Sequence, residues 1–147
     1  MKEGDDSRVS LAPATIGRER GKRPEILVVE DDDALRLAVA DVLRGEGFSV
    51  VEATNGSAAL DYLLGGGTTP GLILLDLTMP IMSGREMIRV LQGYVRFSMI
   101  PVLIMTSEVP LAVSPEEGTV GRLQKPFSSD QLLAHVRQYV RPTPVDE

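Results

Sequence analysis

The chain has 147 residues, no cysteine and a net charge of −6. That is enough for one domain with tails, and it excludes disulfide frameworks, thiolate zinc sites and thiol nucleophiles. No apolar run approaches the roughly 20 residues of a bilayer span, and MKEGDDSRVSLAPA lacks the basic start and apolar block of a signal peptide, so no membrane insertion and a cytoplasmic location are expected.

Six cations against four acids give residues 1–23 a charge of +2, which leaves −8 on residues 24–147. An acidic body of this kind is not expected to bind nucleic acid by itself. Residues 1–23 are polar and aperiodic and read as a disordered tail. A folded domain is expected over 24–141, with 142–147 as a short C-terminal tail.

Alternating strand and helix patterns begin at Pro24. EILVV (25–29) is a short apolar strand interrupted by EDDD (30–33). Ala34 to Arg44 is helical, with Leu35, Val39, Val42 and Leu43 as its apolar stripe. FSVVEA (48–53) is a second strand, SAALDYLL (57–64) a helix, and GLILLDL (71–77) a third strand. SGREMIRVLQGY (83–94) is helical and MIPVLIMTS (99–107) a fourth strand. Residues 108–120 contain Pro110 and Pro115 and predict an irregular or shortened element there. GRLQKPF (121–127) is a fifth strand. Ser128, with Gln131 three residues on, opens a last helix that Arg141-Pro142 ends. Such alternation predicts an α/β fold, a doubly wound five-stranded parallel sheet with ligand chemistry beyond the carboxyl ends of its strands.

At those ends the residue types are consistent. The first strand runs into Glu30 and Asp31, the third into Asp76, the fourth into Thr106, and the fifth into Lys125. A lone strand-end Asp is commonly a turn or cap residue; several acids converging on one crevice are not. At about 4–5 Å and an effective dielectric near 20, each like-charged pair costs roughly 3–4 kcal/mol. A proton or a hard cation relieves this, and an all-oxygen donor set without His or Cys suits Mg²⁺. Lys125 is the only lysine outside the tail, a compact charge set beside acids. Asp76, oriented by Mg²⁺, can then act as a nucleophile on a phosphoryl group, with Lys125, Thr106 and the metal stabilising the transferring oxygens.

The pieces VVEDD (28–32), DLTMPIMSG (76–84), LIMTSE (103–108) and LQKPF (123–127) together resemble the receiver domain of two-component response regulators, in the family's order and near its spacings. The resemblance implies a flavodoxin-like strand order 2-1-3-4-5, with Asp76 as phosphoacceptor and Lys125 and Thr106 contacting the phosphoryl group. It implies metal ligation by Glu30, Asp31, Asp76 and the Thr78 backbone carbonyl. Thr78 and Glu108 match positions that tune autodephosphorylation. Arg122 stands where the family usually carries Tyr or Phe as an aromatic switch, and it is expected to stay at the surface near Glu108, Glu116 or Glu117.

The implied function is a stand-alone receiver that takes its phosphoryl group from a sensor histidine kinase or phosphotransfer protein and signals to a downstream protein. On this reading it catalyses only its own phosphorylation and dephosphorylation. An alternative is a phosphorylation-independent interaction module with a receiver fold, favoured by Arg122. A hydrolytic phosphatase is a third reading, opposed by Thr78 where such enzymes carry a second Asp. His135, the single histidine, reads as structural, and the six methionines as core filler.

Overall fold

A computed structural model of the chain describes residues 25–108 and 118–141. Five strands, β1 (Glu25–Val29), β2 (Ser49–Ala53), β3 (Leu72–Asp76), β4 (Val102–Thr106) and β5 (Gly121–Gln124), form one parallel sheet in the order β2-β1-β3-β4-β5. The helices are α1 (Asp33–Gly45), α2 (Gly56–Leu64), α3 (Gly84–Gln92), a short α4 (Val95–Ser98) and α5 (Ser129–Val136). The expected fold class and strand order are those observed. Among the described residues, no helix is long and apolar enough to cross a membrane.

The inner strands β1, β3 and β4 are apolar along most of their length because helices cover both faces, whereas the outer strands β2 and β5 carry Glu52, Arg122 and Gln124. Along β1, Leu27 and Val29 face one core with Ala59 and Leu63 of α2 and Met87 and Leu91 of α3. The alternate residues Ile26 and Val28 face a second core with Val39 and Leu43 of α1 and Leu132 and Val136 of α5. β3 repeats the alternation, with Ile73 and Leu75 on the first side and Leu72 and Leu74 on the second. All five residues of β3 are buried, Asp76 included. The helix starts are capped as their sequences demand: Asp32 accepts from Leu35 N, and Ser83 and Ser128 each form a capping box with Glu86 and Gln131.

Several boundaries differ from expectation. The fourth strand begins at Val102, because residues 95–98 form a helical turn that buries Phe97. Met99 is 81% exposed and so is no core filler, while Met79, Met87 and Met105 are. The fifth strand ends at Gln124, before a cis Lys125–Pro126 bond. The last helix ends at Val136, and only turn hydrogen bonds carry the chain to Val140. The expected irregular element between the fourth and fifth strands falls mostly on residues 109–117, which lie outside the described residues, as do the two tails. His135 Nδ1 donates to the Gln131 carbonyl at 2.9 Å, a bond within α5.

One close approach fixes β3 to the helix that follows it. Gly84 N donates to the Leu77 carbonyl at 3.0 Å. A Cβ on Gly84 would press into the Asp76 carbonyl oxygen and stand 2.8 Å from Leu77 Cα. Backbone cannot yield as a side chain does, so Gly84→Ala is expected to cost about 2–3 kcal/mol, read as a lowered denaturation midpoint with an unchanged slope.

Candidate functional site

The chain order reverses between β1 and β3: β2 lies on one side of β1, while β3, β4 and β5 follow on the other. A parallel sheet opens a crevice at such a switch point, beyond its strands' carboxyl ends. The structure brings the predicted residues together there. Glu30 follows β1, Asp76 closes β3, Thr106 closes β4, and Lys125 follows β5. Glu30, Asp76 and Thr106 are buried, and Asp31 is exposed at the rim.

Lys125 Nζ lies 2.8 Å from Glu30 Oε1 and 3.5 Å from Asp76 Oδ1. Its backbone N–H donates to the Thr106 carbonyl at 2.8 Å, which holds the β5 exit against β4. Asp76 Oδ1 accepts from Thr78 N at 3.2 Å, and Glu30 Oε2 accepts from Asp32 N at 3.1 Å. Carboxylate oxygens of Glu30, Asp31 and Asp76 lie within 4.8 Å of one another. Asp32 serves as the α1 cap and Asp33 as a partner of Arg36, so neither joins the cluster.

Burial is the main force on this cluster's protonation. It pushes both Glu30 and Asp76 above the ordinary carboxylate range, against the lowering effects of Lys125 and of backbone N–H donors. Burial also works to lower Lys125, but its bond to Glu30 and the charge of Asp76 outweigh that and hold it raised. The folded chain therefore binds more protons on the two acids than the unfolded chain across the window above the ordinary carboxylate range. Their contribution to stability falls as pH rises through that window and returns as pH drops. The Lys125 contribution has the other window: it is present below the ordinary lysine value and lost as pH rises through the raised one.

Residues 26–137 match the response regulator receiver domain family. The chain belongs to that family. The receiver is 37% identical over 122 residues to the DNA-binding response regulator MtrA of Mycolicibacterium smegmatis, covering 81% of this chain and 51% of that protein. It is 35% identical over 119 residues to the sensory transduction protein RegX3 of Mycobacterium bovis, covering 79% and 50%. The chain thus spans about half the length of these curated relatives. Among solved structures, chemotaxis protein CheY4 of Vibrio cholerae superposes with a TM-score of 0.72 at 27% identity, covering 81% of this chain and all of that one. TrrA of Thermotoga maritima, solved with Mg²⁺-BeF, shares the fold with a TM-score of 0.69 at 24% identity, covering 80% and 99%.

The three remaining predicted residues line the receiver's outer rim. Thr78 Oγ1 donates to Glu108 Oε2 at 3.4 Å, and Glu108 N donates to Thr106 Oγ1 at 3.0 Å. Glu108 pairs with Arg85 at 2.9 Å, and mainly this bond holds its carboxyl below the usual range. Arg122 departs from expectation. It is half-buried on β5, in register with Ile104, with one guanidinium nitrogen buried. The nearby Glu108 charge offsets part of what an isolated guanidinium would lose on burial. Glu116 and Glu117 lie outside the described residues. The loop past Asp76 turns at Ile81 with φ of 71°, a left-handed conformation costly for a β-branched residue.

Sequence reasoning missed Arg36. It is buried on α1, donates to the Glu30 carbonyl at 2.9 Å, and pairs with Glu52 of β2 at 3.2 Å and Asp33 at 2.8 Å. A signal existed: Arg36, Val39, Ala40 and Leu43 share the i, i+3, i+4, i+7 phase of the buried stripe. The acid-bearing loop after β1 is thereby tied to the sheet edge. Arg36→Met removes three polar partners at once and should destabilise the receiver by about 2–4 kcal/mol, measured by urea unfolding. A loss under half a kilocalorie would show that the loop holds itself.

Proposed function

We propose that this receiver accepts a phosphoryl group on Asp76 from a phosphohistidine of a sensor histidine kinase or phosphotransfer protein, and signals by protein contact in a two-component phosphorelay. The donor's N–P bond breaks as an Asp76 Oδ–P bond forms, and the histidine nitrogen keeps the electron pair and takes up a proton. The observation that carries this reading is the placement of Asp76 at the end of a buried strand, 3.5 Å from the ammonium of Lys125 and beside two further acids.

Each residue has a task in the transfer. Asp76 is the nucleophile, and the Thr78 N–H on Oδ1 fixes the orientation of its carboxylate. Lys125 is already paired to Glu30 and within reach of Asp76, so it can follow the negative charge onto the phosphoryl oxygens. The buried Thr106 hydroxyl, at the end of β4, donates to one of them.

The donor set fits Mg²⁺: all-oxygen, converging within 4.8 Å, and disfavoured as bare charges by burial. Asp31 and Asp76, the Thr78 carbonyl, and Glu30 through water would hold it. Bound there, the ion neutralises charge on the transferring phosphoryl group.

The chain would act catalytically only on itself, in gaining and losing the phosphoryl group, and a cytoplasmic location fits such a role. MtrA, of which the chain matches about half, is named a DNA-binding regulator. The acidic balance of residues 24–147 argues against DNA contact by the receiver body itself. A phosphorylation-independent interaction module remains the second reading, supported by the charged Arg122 on β5, where receivers usually place an aromatic ring.

Incubation with Mg²⁺ and acetyl phosphate tests the proposal. Intact mass should rise by one phosphoryl group in the wild type, not in Asp76→Asn, and not when a chelator removes the metal. An equal gain in Asp76→Asn would place the chemistry elsewhere.

A further inference from the structure

The segment after β3 and Glu108, two residues past the end of β4, are joined by side chains. Arg85, the second residue of α3, donates from Nη2 to Glu108 Oε1 at 2.9 Å and from Nη1 to Glu108 Oε2 at 3.4 Å. The second oxygen also accepts from Thr78 Oγ1 at 3.4 Å. Both carboxylate oxygens are therefore engaged sideways along the rim. The main chain beneath is anchored too, because Glu108 N donates to the Thr106 hydroxyl and Thr78 N to Asp76. The rim thus runs from α3 through Glu108 to the two residues flanking the reacting oxygen.

Hydrolysis of an acyl phosphate on Asp76 needs a water in line with the Asp–phosphorus bond, on its far side. That side is the solvent-facing mouth, between Thr78 and Glu108. A carboxylate free to turn inward there would accept a proton from the attacking water as the water oxygen bonds to phosphorus and the bond to Asp76 breaks. Held sideways by a two-point guanidinium contact, the same carboxylate spends acceptor sites of both oxygens on the rim and is turned away from the water.

We propose that Arg85 is a positioning residue that lengthens the life of the phosphorylated state by clamping Glu108 to the rim and away from the attacking water. This rests on Asp76 being the phosphoacceptor. Arg85 acts through Glu108, to which both of its terminal guanidinium nitrogens donate. The clamp is half-exposed, with side chains 43% and 41% accessible, so salt should loosen it and its effect should be modest.

The test is a decay measurement on the whole chain. Protein phosphorylated with acetyl phosphate and Mg²⁺ is freed of donor, and loss of the phosphoryl group is followed by intact mass in wild type, Arg85→Ala, Arg85→Lys, Glu108→Ala and the double Ala variant. Arg85→Ala should decay about fivefold faster, the scale of a partly exposed ion pair. Arg85→Lys should restore most of the lifetime, and Arg85→Ala should add nothing once Glu108 is Ala. Raising salt should shorten the wild-type lifetime and leave Arg85→Ala nearly unchanged. Decay of Arg85→Ala at the wild-type rate, or equal acceleration with and without Glu108, overturns the clamp while leaving Asp76 in place. Absence of any adduct on wild-type Asp76 overturns the underlying reading and the clamp with it.

Discussion

The structure depends on keeping negative charge inside a protein next to one ammonium. Glu30 and Asp76 are both almost wholly buried at the switch point, and Lys125 lies within 3.5 Å of each. A single cation cannot compensate two carboxylates in a low-dielectric crevice, so burial lifts the affinity of both acids for protons. A site in that condition gains from any added positive charge. The same imbalance that costs folding stability suits the crevice to a hard cation and, on the proposed function, to the electron-poor phosphorus of a phosphoryl donor.

The surrounding fold supports this arrangement. Parallel strands buried on both faces make β1 and β3 rigid posts, and their register, Val29 beside Leu75, sets the residues that follow side by side. Arg36 fixes the loop that carries Glu30 by holding its carbonyl and reaching across to Glu52. Gly84 lets α3 approach the Asp76 backbone more closely than a Cβ would allow. Further out, Arg85 and Glu108 tie the two rim loops together. Charge is concentrated at the centre, and each outer layer restrains a backbone segment that presents it.

Much of this was legible in the sequence. Four strands end in, or run directly into, the acid, hydroxyl or ammonium that forms the site, and apolar runs breaking into such residues are visible without coordinates. The rarity of lysine singled out Lys125. Less legible were residues whose role depends on a neighbour far along the chain. Arg36 sits in a stripe that looks apolar around it, and its contacts with the Glu30 carbonyl and with Glu52, 16 residues on, help explain its burial. Arg85 looks like a solvent-facing charge on α3 until Glu108, 23 residues away, is placed beside it. Arg122 was expected at the surface near Glu108; its charge does act on Glu108, but the side chain is half-buried, the desolvation argument having given that compensating charge too little weight. The helical turn at Val95–Ser98 lacked any side-chain cap to announce it.

The central claim is that Glu30 and Asp76 share one insufficient cation. Site-resolved carboxylate titration by NMR, in chelator, of the wild type and of Lys125→Met tests it most directly. The account predicts that both acids titrate above the ordinary carboxylate range in the wild type and move further up when Lys125 is lost. Titration of both within the ordinary range, unmoved by Lys125→Met, would contradict it.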